Sequence, residues 1–145
     1  MNIAFFLIPK KEVVYLHIKC TMRQALEKME YHKYTAVPLI DEAGHYVGTL
    51  TEGDLLWKLK NTPGLSMEST EKIRLDEVPR RVNNTPIYIN AEMEDLMSLA
   101  IEQNFIPVVD DYGIFIGIIR RREILEYGAR LMLDESFKMP RQKTS

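Results

Sequence analysis

The chain has 145 residues, 46% of them hydrophobic and 28% charged, and 19 basic against 21 acidic side chains leave a formal net charge of −2. That size suits one ordinary domain able to bury its own core, and the near balance of charge argues against a surface built to neutralise a nucleic-acid backbone. Cys20 is the only cysteine and cannot pair within the chain, so no disulfide framework or multi-cysteine zinc site is expected, and a reducing, cytoplasmic setting is.

Ile3 to Ile8 is the longest apolar run, but Pro9, Lys10 and Lys11 stop it far short of the roughly 20 residues a membrane-spanning helix needs. It lacks the basic lead of a signal peptide. A short strand, or a cover over a neighbouring repeat or subunit, is expected there. Val13 to Leu16 reads as a β run. Residues 21–32 form a helix, because Met22, Ala25, Leu26 and Met29 recur at three- and four-residue spacing. Thr35 to Ile40 is a strand rich in β-formers, Asp41 to His45 supplies turn chemistry, and Tyr46 to Leu50 returns as the second arm of a hairpin. A second helix starts near Thr51, with Leu55, Leu56 and Leu59 on its buried face. Residues 61–77 carry Pro63-Gly64, serines and alternating charges, and read as a polar connector. The series then recurs: a strand over Pro86 to Ile89, a helix over 92–103, strands over Phe105 to Val109 and Ile114 to Ile119, and a helix from Arg121 to Leu133. Met139 to Ser145 is polar, holds Pro140 and is expected to fray.

The recurrence is an internal repeat. Val37-Pro38-Leu39-Ile40-Asp41 with Gly44 and Gly48 returns as Ile106-Pro107-Val108-Val109-Asp110 with Gly113 and Gly117, every pair 69 positions apart. Met93, Leu96, Met97 and Ala100 repeat the first helical stripe at an offset of 71, and Pro79-Arg80-Arg81 answers Pro9-Lys10-Lys11 at 70. A unit of this size is at the low end of independent stability, so two units are expected to pack against each other with pseudo-twofold symmetry. The predicted organisation is a first repeat over 1–60 that includes the N-terminal strand segment, a linker over 61–77, a second repeat over 78–134 and a flexible tail over 135–145.

Two strand-to-helix junctions carry the chemistry. Thr51-Glu52-Gly53-Asp54 opens a helix whose N–H groups and dipole favour a phosphate, while Asp54 can accept from ribose hydroxyls. The same four residues equally make a self-sufficient N-cap. At the matching junction Arg120-Arg121-Arg122 can hold phosphate through forked hydrogen bonds, with two of the three facing inward. Cations are disfavoured at a helix N-terminus unless something anionic offsets them. Glu123 takes the place of Asp54 with one methylene more. His17, His32 and His45 lack the spacing of a metal motif, Cys20 has no identifiable histidine partner, and neither a phosphate loop nor a dinucleotide fingerprint is present, so neither a metal site nor an enzyme is expected.

The ordered set Thr21-x-x-x-Ala25-Leu26-x-x-Met29, Val37 to Asp41, Gly44, Gly48 and Thr51-x-x-Asp54, with its second copy, resembles a tandem pair of CBS domains, the repeat named after cystathionine β-synthase. The resemblance spans residues 7–130 or so. It implies an α/β fold of two β-α-β-β-α repeats, a homodimer of such pairs, and clefts that bind an adenosine-containing regulatory ligand: AMP, ADP, ATP, S-adenosylmethionine or a cyclic dinucleotide. By the same resemblance the ribose and phosphate fall to Thr51 and Asp54 and to Arg120, Arg121, Arg122 and Glu123. The purine slot falls to Val13, Val14, Tyr34, Ala36 and Pro38, and in the second copy to Pro86, Ile87, Phe105, Ile106 and Pro107. Tyr34 and Phe105 are either stacking groups or core. The Tyr34 to Pro38 run and the consecutive arginines resemble the narrower group of CBS proteins that bind cyclic di-AMP. A stand-alone ligand sensor is the leading reading, and a non-binding dimerisation scaffold the other.

Overall fold

The computed structural model describes residues 2–138 and folds them into two sheets of like topology. In the first, β2 (Leu16–His17) runs parallel to β3 (Ala36–Ile40), which pairs antiparallel with β4 (Tyr46–Thr51). In the second, β5 (Ile87–Tyr88), β6 (Phe105–Val109) and β7 (Phe115–Arg120) repeat that order, and β1 (Ile8–Pro9) adds an antiparallel edge to β7. The helices are α1 (Met22–His32) and α2 (Glu52–Asn61) in the first unit, and α3 (Met93–Glu102) and α4 (Arg121–Lys138) in the second.

The repeat extends to irregularities. The β3–β4 register shifts between Leu39 and Ile40, and the β6–β7 register shifts between Val108 and Val109, at matching positions. Both hairpin turns use a glycine at positive φ, Gly44 at 91° and Gly113 at 80°, where a Cβ would be strained. The turns meet: Phe115 donates its N–H to Gly44 carbonyl oxygen at 2.9 Å and Tyr46 donates to Gly113 at 3.3 Å, joining the two units about a pseudo-twofold axis.

Each unit is completed by chain from outside it. Ile3 and Phe6, in a 3-10 turn over Ile3–Phe6, lie buried in the second core with Leu96, Ile106, Val108 and Ile119. The apolar N-terminus therefore covers the second repeat rather than its own. Reciprocally, Leu75 and Val78 pack in the first core with Met22, Ala25, Leu39, Leu50 and Leu55. Residues 61–77 are thus more than a polar connector: Leu75 and Thr70 are fully buried, and Ile73 carbonyl oxygen accepts from Met22 N–H at 2.7 Å.

Three further expectations are corrected. Of the Val13 to Leu16 run only Leu16 enters a strand, since β2 pairs through Leu16 and His17 alone. Leu56 points outward at 55% exposure, because the face of α2 that meets the sheet is carried by Leu55 and Leu59. Helix α4 continues past Leu133 to Lys138. The tail from Met139 to Ser145 lies outside the described residues.

Candidate ligand-binding site

Two junctions related by the repeat face the space between the units, and they differ. Beside Arg120 is an open cleft of about 290 Å³, at the lower edge of the size range of small-molecule sites. One wall comes from the first unit: Val13 and Val14 ahead of β2, Tyr34 after α1, and Ala36 and Pro38 on β3. The other comes from the second unit, with Asn104 and Phe105 at the start of β6 and Ile118 on β7. Ile8 of β1, Glu12, Arg120 and Arg122 complete the lining. The result is a largely apolar slot that also carries two cations and one carboxylate.

The local chain dictates this arrangement. Gly117 permits β1 to approach β7, because a Cβ there would lie 2.2 Å from Ile8 carbonyl oxygen. Lys33 ends α1 in the left-handed conformation, with φ at 59°, and turns the chain so that Tyr34 enters the cleft. Each cleft arginine is held by a carboxylate of α4. Arg120 Nη2 lies 2.8 Å from Glu123 Oε1, and Arg122 Nε lies 2.9 Å from Glu126 Oε1. The hydrogen bond from Arg122 to Glu126 pushes the guanidinium pKa above its ordinary value.

At the other junction the polar groups are tied to the neighbouring chain, and a smaller cavity of about 220 Å³ opens beside Asp54, Trp57, Lys58 and Arg81. Thr51 and Asp54 form a capping box on α2: Asp54 Oδ2 accepts from Thr51 N–H at 2.9 Å, and Thr51 Oγ1 accepts from Asp54 N–H at 3.2 Å. The remaining oxygen of Asp54 accepts from Arg81 N–H at 3.0 Å, and the side chain is 2% exposed. Arg80 lies against Gly48, where a Cβ would be 2.7 Å from its Nε. Arg81 stacks on Trp57 at 5.3 Å. Tyr46 hydroxyl donates to Asn84 carbonyl oxygen at 2.9 Å and shares a 2.7 Å bond with Thr49. Burial raises the Tyr46 pKa, only partly offset by Thr49 and by the field of Arg80. Gln103 then clamps Thr85, accepting from its N–H at 2.8 Å and donating to its carbonyl at 3.1 Å.

Two positions explain the contrast. Tyr46, whose hydroxyl tethers residue 84, has Phe115 as its repeat mate, which has no hydroxyl to donate. Gln103, the clamp, has Tyr34 as its mate, which lines the open slot instead.

The structure therefore gathers Val13, Val14, Tyr34, Ala36, Pro38, Phe105, Arg120 and Arg122 into one cleft. Thr51 and Asp54 stand at the other junction, where Asp54 lines the smaller cavity. Ile106 is fully buried in the second core and Pro107 is also buried, neither lining the cleft. Pro86 and Ile87 border a separate shallow groove against α3. Arg121 turns away and caps α3, donating from Nε to the carbonyls of Ala100 at 2.7 Å and Gln103 at 3.1 Å. Glu123 stands behind Arg120 rather than in the lining. Ile8, Glu12, Asn104 and Ile118 are cleft residues that sequence reasoning missed. Asn104 could have been found from its place beside Phe105, whereas Ile8 arrives only through the exchange of the N-terminal segment. Among the described residues no group of three His, Cys, Asp or Glu side chains is placed to hold a metal ion, and no helix is long and apolar enough to cross a membrane.

The sequence pattern of the CBS domain matches residues 7–61 and 76–130. The chain belongs to the CBS-domain family. A cyclic di-AMP receptor B of Bacillus subtilis is 23% identical over 126 residues, covering 86% of this chain and 84% of that protein. Among solved structures, CbpB in complex with c-di-AMP superposes with a TM-score of 0.83 at 22% identity, covering 96% of this chain and 91% of that one. CBSX2 in complex with AMP superposes at 0.71, again at 22% identity, covering 90% and 98%. Likeness at this identity establishes the fold of a CBS pair, and the two units of this chain are its two repeats.

Proposed function

We propose that this CBS pair is a regulatory module rather than an enzyme, and that it binds one adenine nucleotide per chain in the open cleft beside Arg120. The observation that carries this reading is the pairing of a largely apolar slot with two guanidinium groups in its lining, Arg120 and Arg122. A purine suits the slot between Val13, Val14, Ala36 and Pro38, with Tyr34 and Phe105 offering ring faces. Phosphate suits the arginines.

Cyclic di-AMP is the leading ligand, supported by the ligands named for a curated relative and for CbpB; AMP, named for CBSX2, is the linear alternative. Thr51 and Asp54 serve the fold in this reading, their polar atoms being engaged within the chain. The module works as a homodimer in the cytoplasm and signals through a change of shape or partner.

A thermal-shift screen with AMP, ADP, ATP, S-adenosylmethionine, cyclic di-AMP, cyclic di-GMP and GTP tests the reading, because a ligand bound only by the folded state raises the melting temperature. A selective rise with an adenine ligand, lost in Arg120→Ala, is the expected result. No shift with any of them, in a protein that remains dimeric, would favour the scaffold reading instead.

A further inference from the structure

We infer that Glu123 is a positioning residue that acts through Arg120 to make the cleft select phosphate-bearing nucleotides over neutral nucleosides; this rests on the nucleotide-binding reading above. The repeat aligns Glu123 with Asp54 and Arg120 with Thr51. In the first unit the hydroxyl and the carboxylate serve each other's backbone N–H groups. In the second the strand-end residue is a cation, and the carboxylate three residues later pairs with that cation at 2.8 Å. The extra methylene of Glu123 gives it that reach.

The geometry separates the two groups by task. Arg120 lines the cleft and Glu123 does not. The pair engages one terminal nitrogen of a guanidinium that has five N–H donors, leaving the others for a ligand. Arg120 and Arg122 both line the cleft, and like charges sharing a cleft repel unless each has a counter-charge. Glu123 supplies it for the first, as Glu126 does for the second. Arg120 is 54% exposed at its side chain, so without Glu123 it would sample many rotamers and lose entropy on meeting a phosphate.

The test is a set of titrations of the full chain with cyclic di-AMP, AMP and adenosine, using wild type, Glu123→Gln, Arg120→Ala and the double variant. Glu123→Gln is expected to weaken the two phosphate ligands about 3- to 10-fold and to leave adenosine unchanged. In the Arg120→Ala background the same substitution is expected to add nothing, since a residue acting through Arg120 has no route left. Circular dichroism and the melting temperature establish that each variant is folded, and Glu123→Asp, which keeps the charge, provides a second variant expected to recover part of the loss. An equal loss for adenosine would assign Glu123 to the ribose and overturn the inference. So would tighter phosphate binding in Glu123→Gln, which would make the carboxylate a competitor, or full additivity in the double variant. Failure of the wild type to bind any of the three overturns the nucleotide reading and this inference together, whereas the other adverse results leave the nucleotide reading standing.

Discussion

The two strand-to-helix junctions are repeat mates with different polar contacts. At Arg120 the chain leaves a slot of about 290 Å³; at Thr51 it tethers residues 81–85 through Asp54, Tyr46 and Gln103. The difference is one of hydrogen bonding rather than fold. A carboxylate that is 2% exposed and accepts a backbone N–H on each oxygen offers little to a ribose, whereas a guanidinium paired through one nitrogen keeps donors free. Duplication supplied two candidate clefts, and in the proposed reading a few polar side chains leave one to structure and the other to the ligand.

The largest effect that would break this division is on binding. Arg120→Ala combined with Arg122→Ala is expected to weaken a phosphate-bearing adenine ligand on the order of 100-fold, two charge-assisted hydrogen bonds at roughly 1.5 kcal/mol or more each, with the melting temperature of the free protein nearly unchanged. Titration calorimetry and thermal denaturation read the two halves of that statement.

Asp54→Ala should give the reverse pattern. Loss of the α2 cap and of the Arg81 anchor is expected to destabilise the fold by about 2 kcal/mol, with ligand affinity altered less than about twofold, as chemical denaturation and titration together would show. A large loss of affinity at constant stability would hand the Thr51 junction back to the ligand.

The smallest effect belongs to Tyr46. Removing its hydroxyl in Tyr46→Phe should cost about 1 kcal/mol and loosen residues 83–85. Because burial raises its pKa in the folded state, the phenol contributes stability that is present below the ordinary tyrosine pKa of about 10 and is lost as pH rises through the higher folded value. Wild type should therefore lose stability in that alkaline window more steeply than Tyr46→Phe.

Much of the fold is legible in the sequence because the repeat is. The 69-residue offset identifies both hairpins, and Phe105 to Val109 is a strand over the bounds its composition suggests. What periodicity does not carry is exchange between repeats. Nothing local to Ile3 or Phe6 says that they belong to the core formed around Ile106, or that Leu75 belongs to the core around Leu39, since such pairings are decided by packing at long range. The binding side divides similarly. Resemblance named Val13, Tyr34, Ala36 and Arg120, residues that the fold brings together. It named Thr51 and Asp54 equally, and there the spacing carries two meanings, a cap or a ligand group. The Arg81 N–H on the remaining Asp54 oxygen supports the cap in the proposed reading. Arg121 differs from its neighbours for a plain geometric reason: the first turn of α4 points it at the carbonyl end of α3.

Counting bound ligand tests the central claim most directly. Titration calorimetry of the full chain with cyclic di-AMP is predicted to give one molecule per chain, with the same count and affinity in Asp54→Ala and binding weakened on the order of 100-fold in the Arg120→Ala, Arg122→Ala variant. Two molecules per chain, or binding that survives loss of both arginines and disappears with Asp54, would contradict the assignment of one cleft to the ligand and the other to the fold.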